Sequence, residues 1–439
     1  MEMVLEFLRD VLSQPALLIG IMSCVGLIAL KRPFHKVMTG TLKPILGYLM
    51  LAAGAGVIVS NLDPLGKMIE HGFHITGVVP NNEAIVAVAQ KVLGVETMSI
   101  LVVGLLMNLC IARFTKFKYV FLTGHHSLFM ACLMSAVLGT AGLSGMELIL
   151  VGGFLMGAWS AISPAIGQSY TSKVTDGDEI AIGHFGSLGY YLSAWVAQYV
   201  GKAEDSTEDI EIPEKWGFLR DSTLSTALTM IVFYLIAAIA AGSEFVSTLS
   251  GDMSPYLYAV MSAMNFAVGV TIVYSGVRMI LGDLIPAFQG IATKIIPNAI
   301  PAVDCAVFFT YAPTAVVLGF LSSFIGGIIG MLILGAVGGV LIIPGLVPHF
   351  FCGATAGIYG NATGGRRGAA VGAFLNGLAI TFLPAMALPV LGQLGFQNTT
   401  FGDADFAVMG LVLGNAYEWV GMAGIYGIVA IAALVLIIP

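Results

Sequence analysis

The sequence predicts an all-α polytopic membrane protein of about eleven transmembrane helices, on three observations. Of its 439 residues, 58% are hydrophobic and only 10% are Asp, Glu, Lys or Arg, against roughly a quarter charged in a soluble domain. A mean hydropathy of +0.94 leaves too little polar surface for two or three water-facing domains, so the solvent is a bilayer. Apolar runs near the roughly 20 residues needed to cross recur along the chain, and a weak internal repeat relates its halves. Disorder and fibre are excluded by the same composition. A net charge of −7, from 18 basic and 25 acidic residues, makes nucleic acid an unsuitable partner.

Taken in order, the candidate spans are 16–30, 44–60, 97–112, 119–138, 147–166, 224–241, 256–276, 305–327, 328–344, 369–391 and 407–438. The first 15 residues, MEMVLEFLRDVLSQP, place Val4, Leu5, Leu8, Val11 and Leu12 at helical spacing among charges, which suits an interfacial helix rather than a cleaved signal. Orientation follows from Lys and Arg, which favour cytoplasmic loops. Lys31, Arg32, Lys36 and Lys43, then Arg113, Lys116 and Lys118, then Lys173, Lys202, Lys215 and Arg220 follow spans one, three and five. These loops are therefore expected inside, with the N-terminus outside and the C-terminus inside.

VGGFLMGAWSAISPA (151–165) laid on VGAFLNGLAITFLPA (371–385) matches at seven of fifteen positions, and VVPN (78–81) lies on IIPN (295–298) at nearly the same offset. Five spans, an odd number, separate corresponding elements, so the halves cross in opposite senses, as in secondary transporters. Repeat one covers about 16–200, repeat two about 224–400, and a final helix about 407–438. Between spans, 61–94, 180–200, 283–304 and 346–365 are punctuated by Pro, Gly and Asn. They read as irregular or re-entrant backbone, which at membrane depth is tolerated only where it lines a protein cavity. Residues 202–221 carry ten charges in twenty positions and read as a cytosolic loop, either a solvated linker or a docking surface for a cytosolic partner.

Ionisable residues in embedded segments cost a few kcal/mol or more, so each raises a functional question. His125 and His126 stand in LTGHHSLF, His184 in TDGDEIAIGHFGS, Asp304 in IPNAIPAVDCAVF and Glu83 in VPNNEAIVAV. Each histidine serves equally as a satisfied polar contact near a helix end or as a ligand contact. Asp304 and Glu83 follow Pro-rich breaks at equivalent positions of the repeat, where helix ends can present polar groups to a ligand. Carboxylates, imidazoles and amides together suit a polyhydroxylated molecule, a proton or a cation. No G-x-x-x-x-G-K-[ST] segment supports ATP use. Cys24, Cys110, Cys132, Cys305 and Cys352 form no C-x-x-C pair, so no disulfide framework, metal site or cofactor is expected, and they read as small apolar fillers.

LTGHH, VTDGDEIAIGH, PNNEAI, RMILGDLIPAFQGIATKIIPNAIPAVDCAVF, FTYAPTAVVLGF and LIIPGLVPHFF, in this order and over nearly the whole chain, closely resemble the membrane IIC component of ascorbate-type phosphoenolpyruvate-dependent sugar phosphotransferase systems. The resemblance implies a homodimer in a bacterial cytoplasmic membrane, each subunit with a sugar-carrying core and a V-shaped scaffold. It further implies that a cytosolic IIB protein, phosphorylated on cysteine, phosphorylates the sugar as it arrives inside. Position by position it places His125, His184, Asp304 and the Asn82–Glu83 segment in the sugar site. This chain has Phe129 and Phe185 where the best-known ascorbate members have glutamine, Ala55 where they have serine, and Asn82–Glu83 where they have Thr-Tyr. L-Ascorbate is the leading expected substrate, with another acidic sugar, a pentitol or a galactitol-like polyol behind it. An ion-coupled carrier using Glu83 or Asp304, and a membrane enzyme acting on lipid, are the rival readings from other classes.

Overall fold

The computed structural model describes residues 11, 14–74, 77–80, 82–177, 179–210, 222–392 and 399–438, with some helix side chains, those of 83–94 among them, outside that description. The expected interfacial helix at the start of the chain falls almost wholly outside it. The described chain is helical: α1 (Pro15–Ala29), α2 (Phe34–Phe73), α3 (Asn82–Phe114), α4 (Gly124–Thr140), α5 (Gly145–Thr175), α6 (Ser187–Val200), α7 (Ser222–Ala241), α8 (Ser243–Ser250), α9 (Pro255–Lys294), α10 (Pro313–Ala336), α11 (Leu346–Gly392), α12 (Ala404–Val420) and α13 (Met422–Ile437). Six of these are long and apolar enough to cross a membrane, or seven if the pair α7–α8, bent by 117°, is one span.

Five strands of two to four residues interrupt the helices: β1 (Val79–Pro80), β2 (Tyr119–Phe121), β3 (Ala181–Ile182), β4 (Ile300–Val303) and β5 (Thr399–Thr400). They pair in parallel, in the orders β2-β4-β3 and β1-β5, and Val78 bridges Ile342. Buried backbone groups freed by a helix break need partners inside the protein, and the ladders supply them. Leu122 N–H donates to Ala302 O (2.9 Å) and Gly183 N–H to Val303 O (2.7 Å).

The helices pack as two groups. In the first, α1, α2, α7 and α9 lie together, with the two 40-residue helices α2 and α9 along one another. Gly54 of α2 faces Gly269 of α9: a Cβ at Gly54 would stand 2.7 Å from the Gly269 carbonyl oxygen. Helices pack in membranes through such small residues, since burial from lipid offers no hydrophobic gain. In the second group, α11 packs on α10 and α6, and α3 packs on α4 and α5.

Several expected segments differ from the structure, and of the stretches expected to be irregular 61–73, 82–94, 187–200 and 283–294 are helical, leaving the irregular backbone to short junctions. The run 119–138 is β2 followed by the 17-residue α4, nearly every side chain of which is buried in protein. At 1.5 Å per residue that helix is about 25 Å long, and its apolarity serves a protein core rather than lipid. The run 328–344 is no separate span, because α10 ends at Ala336 and Gly338 adopts φ +70°. The run 407–438 is two helices, broken at Gly421 (φ +62°). Conversely, 346–365, expected to be irregular, is the first half of α11. Its glycines allow contact with α10: a Cβ at Gly319 would stand 2.8 Å from Gly357 Cα. The non-helical break comes only at Gly364–Gly365.

The described part of the acidic segment, 202–210, is mostly exposed but is anchored to the helices at Thr207 and Glu208. Thr207 is fully buried, and Glu208 accepts from Thr314 N–H (3.1 Å), Thr314 Oγ1 (2.9 Å) and Ala315 N–H (3.2 Å), capping the first turn of α10. Residues 211–221 lie outside the described residues.

Candidate functional site

Each of the five strands is followed, within four residues, by a polar side chain at a strand-to-helix junction. Asn82 opens α3 after β1, His125 lies in the first turn of α4 after β2, and His184 follows β3. Asp304 comes directly after β4 as the cap of a 3-10 turn (Cys305–Thr310), and Asp403 precedes α12 after β5. Because the strands pair in parallel, their ends converge and bring the five residues together. They line a cavity of about 790 Å³ between the two helix groups, whose opposite wall is the α2 face carrying Tyr48, Leu51 and Ala55.

His125 bridges the two groups. Its Nε2 lies 3.3 Å from Asp304 Oδ2 and its Nδ1 lies 3.3 Å from Tyr48 Oη. An ionised carboxylate only accepts, so the Nε2 proton points to Asp304 and Nδ1 is left to accept from the tyrosine hydroxyl. The other carboxylate oxygen of Asp304 accepts from Ala306 N–H (3.1 Å). Asp403 is held on both oxygens, by Asn82 Nδ2 (2.5 Å) and by Cys352 Sγ (2.6 Å), while Asn82 Oδ1 accepts from Gly402 N–H (2.9 Å).

The remaining histidines are set by backbone. Phe185 N–H donates to His126 Nδ1 (3.3 Å), and Gly186 N–H donates to His184 Nδ1 (3.1 Å), which also lies 2.8 Å from Tyr190 Oη. Both rings therefore carry the neutral-form proton on Nε2. They pack with centroids 3.8 Å apart, backed by Phe406, which stacks on His126 at 5.6 Å.

Of the residues singled out from sequence, Asn82, His125, His126, Phe129, His184, Asp304 and Ala55 all line the cavity. Phe185 does not. It is fully buried behind the histidines, stacked on Phe121 at 4.6 Å, and contributes its backbone N–H. Glu83 lies in the first turn of α3 and its side chain is outside the described residues. Asp403, Tyr48, Tyr190 and Cys352 were not expected. Asp403 in TTFGDADF carries the signal that marked Asp304, an acid in an apolar stretch after a break. Cys352 gives no such signal, and its reading as an apolar filler is corrected by its bond to Asp403.

A family described as the sugar-specific permease component of the phosphotransferase system (EIIC-GAT) matches residues 10–405 of the chain. A protein of Mycoplasma pneumoniae named ascorbate-specific PTS system EIIC component is 26% identical over 474 aligned positions, which cover 94% of this chain and 70% of that relative.

Proposed function

The chain belongs to the sugar-specific permease family of the phosphotransferase system, a multi-pass membrane component, and we propose that it takes up an uncharged polyhydroxylated sugar through the Asp304–Asp403 cavity. Uptake is coupled to phosphorylation of the sugar by a separate cytosolic IIB protein. His125, His184, Asp304 and Asn82 contact the substrate, with Phe129 and Ala55 shaping the walls and Glu83 close by at the start of α3. The sign of the charge around the cavity carries the choice of substrate. Among the described residues Lys67 is the one lysine or arginine on its lining, against Asp63, Glu70, Asp304 and Asp403. A neutral polyol of the pentitol or galactitol kind offers hydroxyls to these acceptors at no Coulombic cost.

L-Ascorbate, a monoanion at neutral pH, is the second reading. It is supported by the sequence resemblance and by the name of the Mycoplasma relative. Two carboxylates facing the ligand count against it. Direct competition between galactitol and ascorbate on purified protein separates the two.

The transport architecture that accompanies this reading is an inverted repeat moving as a core against a dimeric scaffold. Its supports are the matched lengths of α2 and α9 and the parallel pairing, in which β2·β4 corresponds to Ile342·Val78 and β3·β4 to β5·β1 at offsets near 220. The group containing α2 and α9 is the scaffold, and the group containing α4 and α11 is the core. The charge bias puts the N-terminus outside and the C-terminus inside.

The test is reconstitution into vesicles with phosphorylated IIB. Sugar phosphate is expected in the IIB compartment, and with sugar omitted the chain stays unlabelled. A stable phosphohistidine at His125 or His184 overturns direct transfer from IIB cysteine to sugar. Accumulation of unmodified sugar driven by an ion gradient overturns the coupling altogether.

A further inference from the structure

On the sugar-facing wall His184 and Asp403 meet Cys352, whose thiol lies behind them and has no part in hydrogen bonding to a substrate. One ring nitrogen of His184, Cys352 Sγ and a carboxylate oxygen of Asp403 all lie within 4.8 Å of one another, and all three residues are buried. A second set, Asp304 and Cys305 with the same His184, meets the same limit. The first set is the more advanced toward a ligand sphere, because Cys352 Sγ already donates to Asp403 Oδ1 at 2.6 Å. A thiol proton held between sulfur and carboxylate occupies the place a cation would take between thiolate and carboxylate. Donor atoms around a tetrahedral zinc stand roughly 3.3 to 3.8 Å apart, so Cys352 Sγ and Asp403 Oδ1 have to separate by about 1 Å to admit the cation, while the His184 nitrogen, within 4.8 Å of both, closes by at most about 1.5 Å.

We propose that His184, Cys352 and Asp403 form a binding site for a thiophilic divalent cation of the zinc class. Imidazole with thiolate and one carboxylate suits Zn²⁺ or Co²⁺, and does not suit Mg²⁺ or Ca²⁺, which take oxygen ligands. On binding, the Cys352 S–H bond breaks, a metal–sulfur bond forms, and the proton leaves through the cavity to water. With its proton on Nε2, His184 offers Nδ1 as the ligand atom, so the cation displaces the Gly186 N–H and the Tyr190 hydroxyl from it. Tyr190 Oη, 3.5 Å from Cys352 Sγ, is left as the outer hydrogen-bonding partner of the sulfur. The cation ties the β3–α6 junction, the first half of α11 and the β5–α12 junction to one point. It also takes His184 and Asp403 away from a sugar, a consequence that rests on the cavity being the sugar site. Metal and sugar then exclude each other, and zinc inhibits uptake.

Sequence spacing hides this site, since its ligands come from three distant segments with no C-x-x-C pair. The experiment is a Co²⁺ titration of purified protein without a histidine tag, followed by its thiolate-to-cobalt absorption. Calorimetry with Zn²⁺ in buffers of different ionisation enthalpy accompanies it. One metal per chain is expected, with a thiolate band and about one proton released. Cys352→Ser should abolish the band and weaken binding by more than the roughly 10- to 100-fold that loss of an outer partner costs. Asp403→Asn should keep the band and weaken binding, and it serves if the serine variant does not fold. Cys305→Ser should leave both unchanged. Absence of the band in folded wild-type protein, or its loss in Cys305→Ser with survival in Cys352→Ser, overturns the proposal. Neither result bears on sugar uptake itself, because no sugar is present.

Discussion

Tyr48 and His125 meet at 3.3 Å across the boundary between the two helix groups, and the far side of the same imidazole lies 3.3 Å from Asp304. One ring thus joins a residue of the long helix α2 to the carboxylate that caps the turn after β4. A hydroxylated ligand entering the cavity has to compete with, or insert into, this chain of hydrogen bonds.

Asp304 therefore carries the first prediction. Asp304→Asn keeps the shape and one acceptor but removes the charge that strengthens hydrogen bonds from sugar hydroxyls. Loss of a charged acceptor costs about 1.5 to 3 kcal/mol, roughly 10- to 150-fold in affinity. Calorimetric titration of the purified variant should show a drop of this order. Wild-type binding and uptake in the variant would remove Asp304 from the substrate site.

Asp403 tests the sign of the charge. A unit charge 8 Å from an anionic ligand at an effective dielectric constant of 20 contributes about 2 kcal/mol, about 30-fold in affinity. Asp403→Asn should shift the ratio of ascorbate to galactitol affinity toward ascorbate by roughly this factor. An unchanged ratio would mean that the lining charge does not select the sugar.

The two carboxylates also mark how far the sequence could be read. Burial inside protein and exposure to lipid both demand apolar side chains, so 119–138 looks like a lipid-facing span although it is a strand and the 17-residue α4, most of whose side chains are buried in protein. The glycines of 346–365 look like a break although they serve close helix packing. Strands of two to four residues are too short for any period to show, yet their pairing assembles the site. His125, His184 and Asp304 were accessible because an ionisable side chain in an embedded segment is costly and rare, whereas Asn82 was placed by the family resemblance. Cys352 and Asp403, 51 residues apart, become partners only through the fold.

The break in α11 yields a prediction about stability. Gly365 holds φ +60° and ψ −152°, a conformation open almost only to glycine. It also lies against the carbonyl oxygens of Lys202 and Asp205, in the segment whose Glu208 caps α10. Gly365→Ala should cost about 1 to 3 kcal/mol, seen as a lower melting temperature in detergent. Gly427→Ala, where an added Cβ meets nothing within 4 Å, is the matched control and should change little. Equal melting temperatures for the two variants would show that the break is not a fixed feature of the fold.

The last prediction concerns movement. Asp304 and Asp403 cannot face lipid at any stage, because a charge in the bilayer costs several kcal/mol, so they must travel enclosed in protein. One β-ladder ties together the junctions bearing Asn82 and Asp403, a second those bearing His125, His184 and Asp304, and all five line one wall of the cavity as a block, whereas Tyr48 and Ala55 belong to the 40-residue helix α2 on the other side. If the block shifts as a body along α2, the Tyr48–His125 contact exists in one state only. Cysteines introduced on the turns flanking that contact, one within 44–60 and one near Gly124, and then joined by a short linker, should lock that state. Such a cross-link is expected to abolish uptake in vesicles while sugar binding from the open side persists, and reduction should restore transport. Full transport by the cross-linked protein would sink the moving core and leave a small local gate around His125 as the better account.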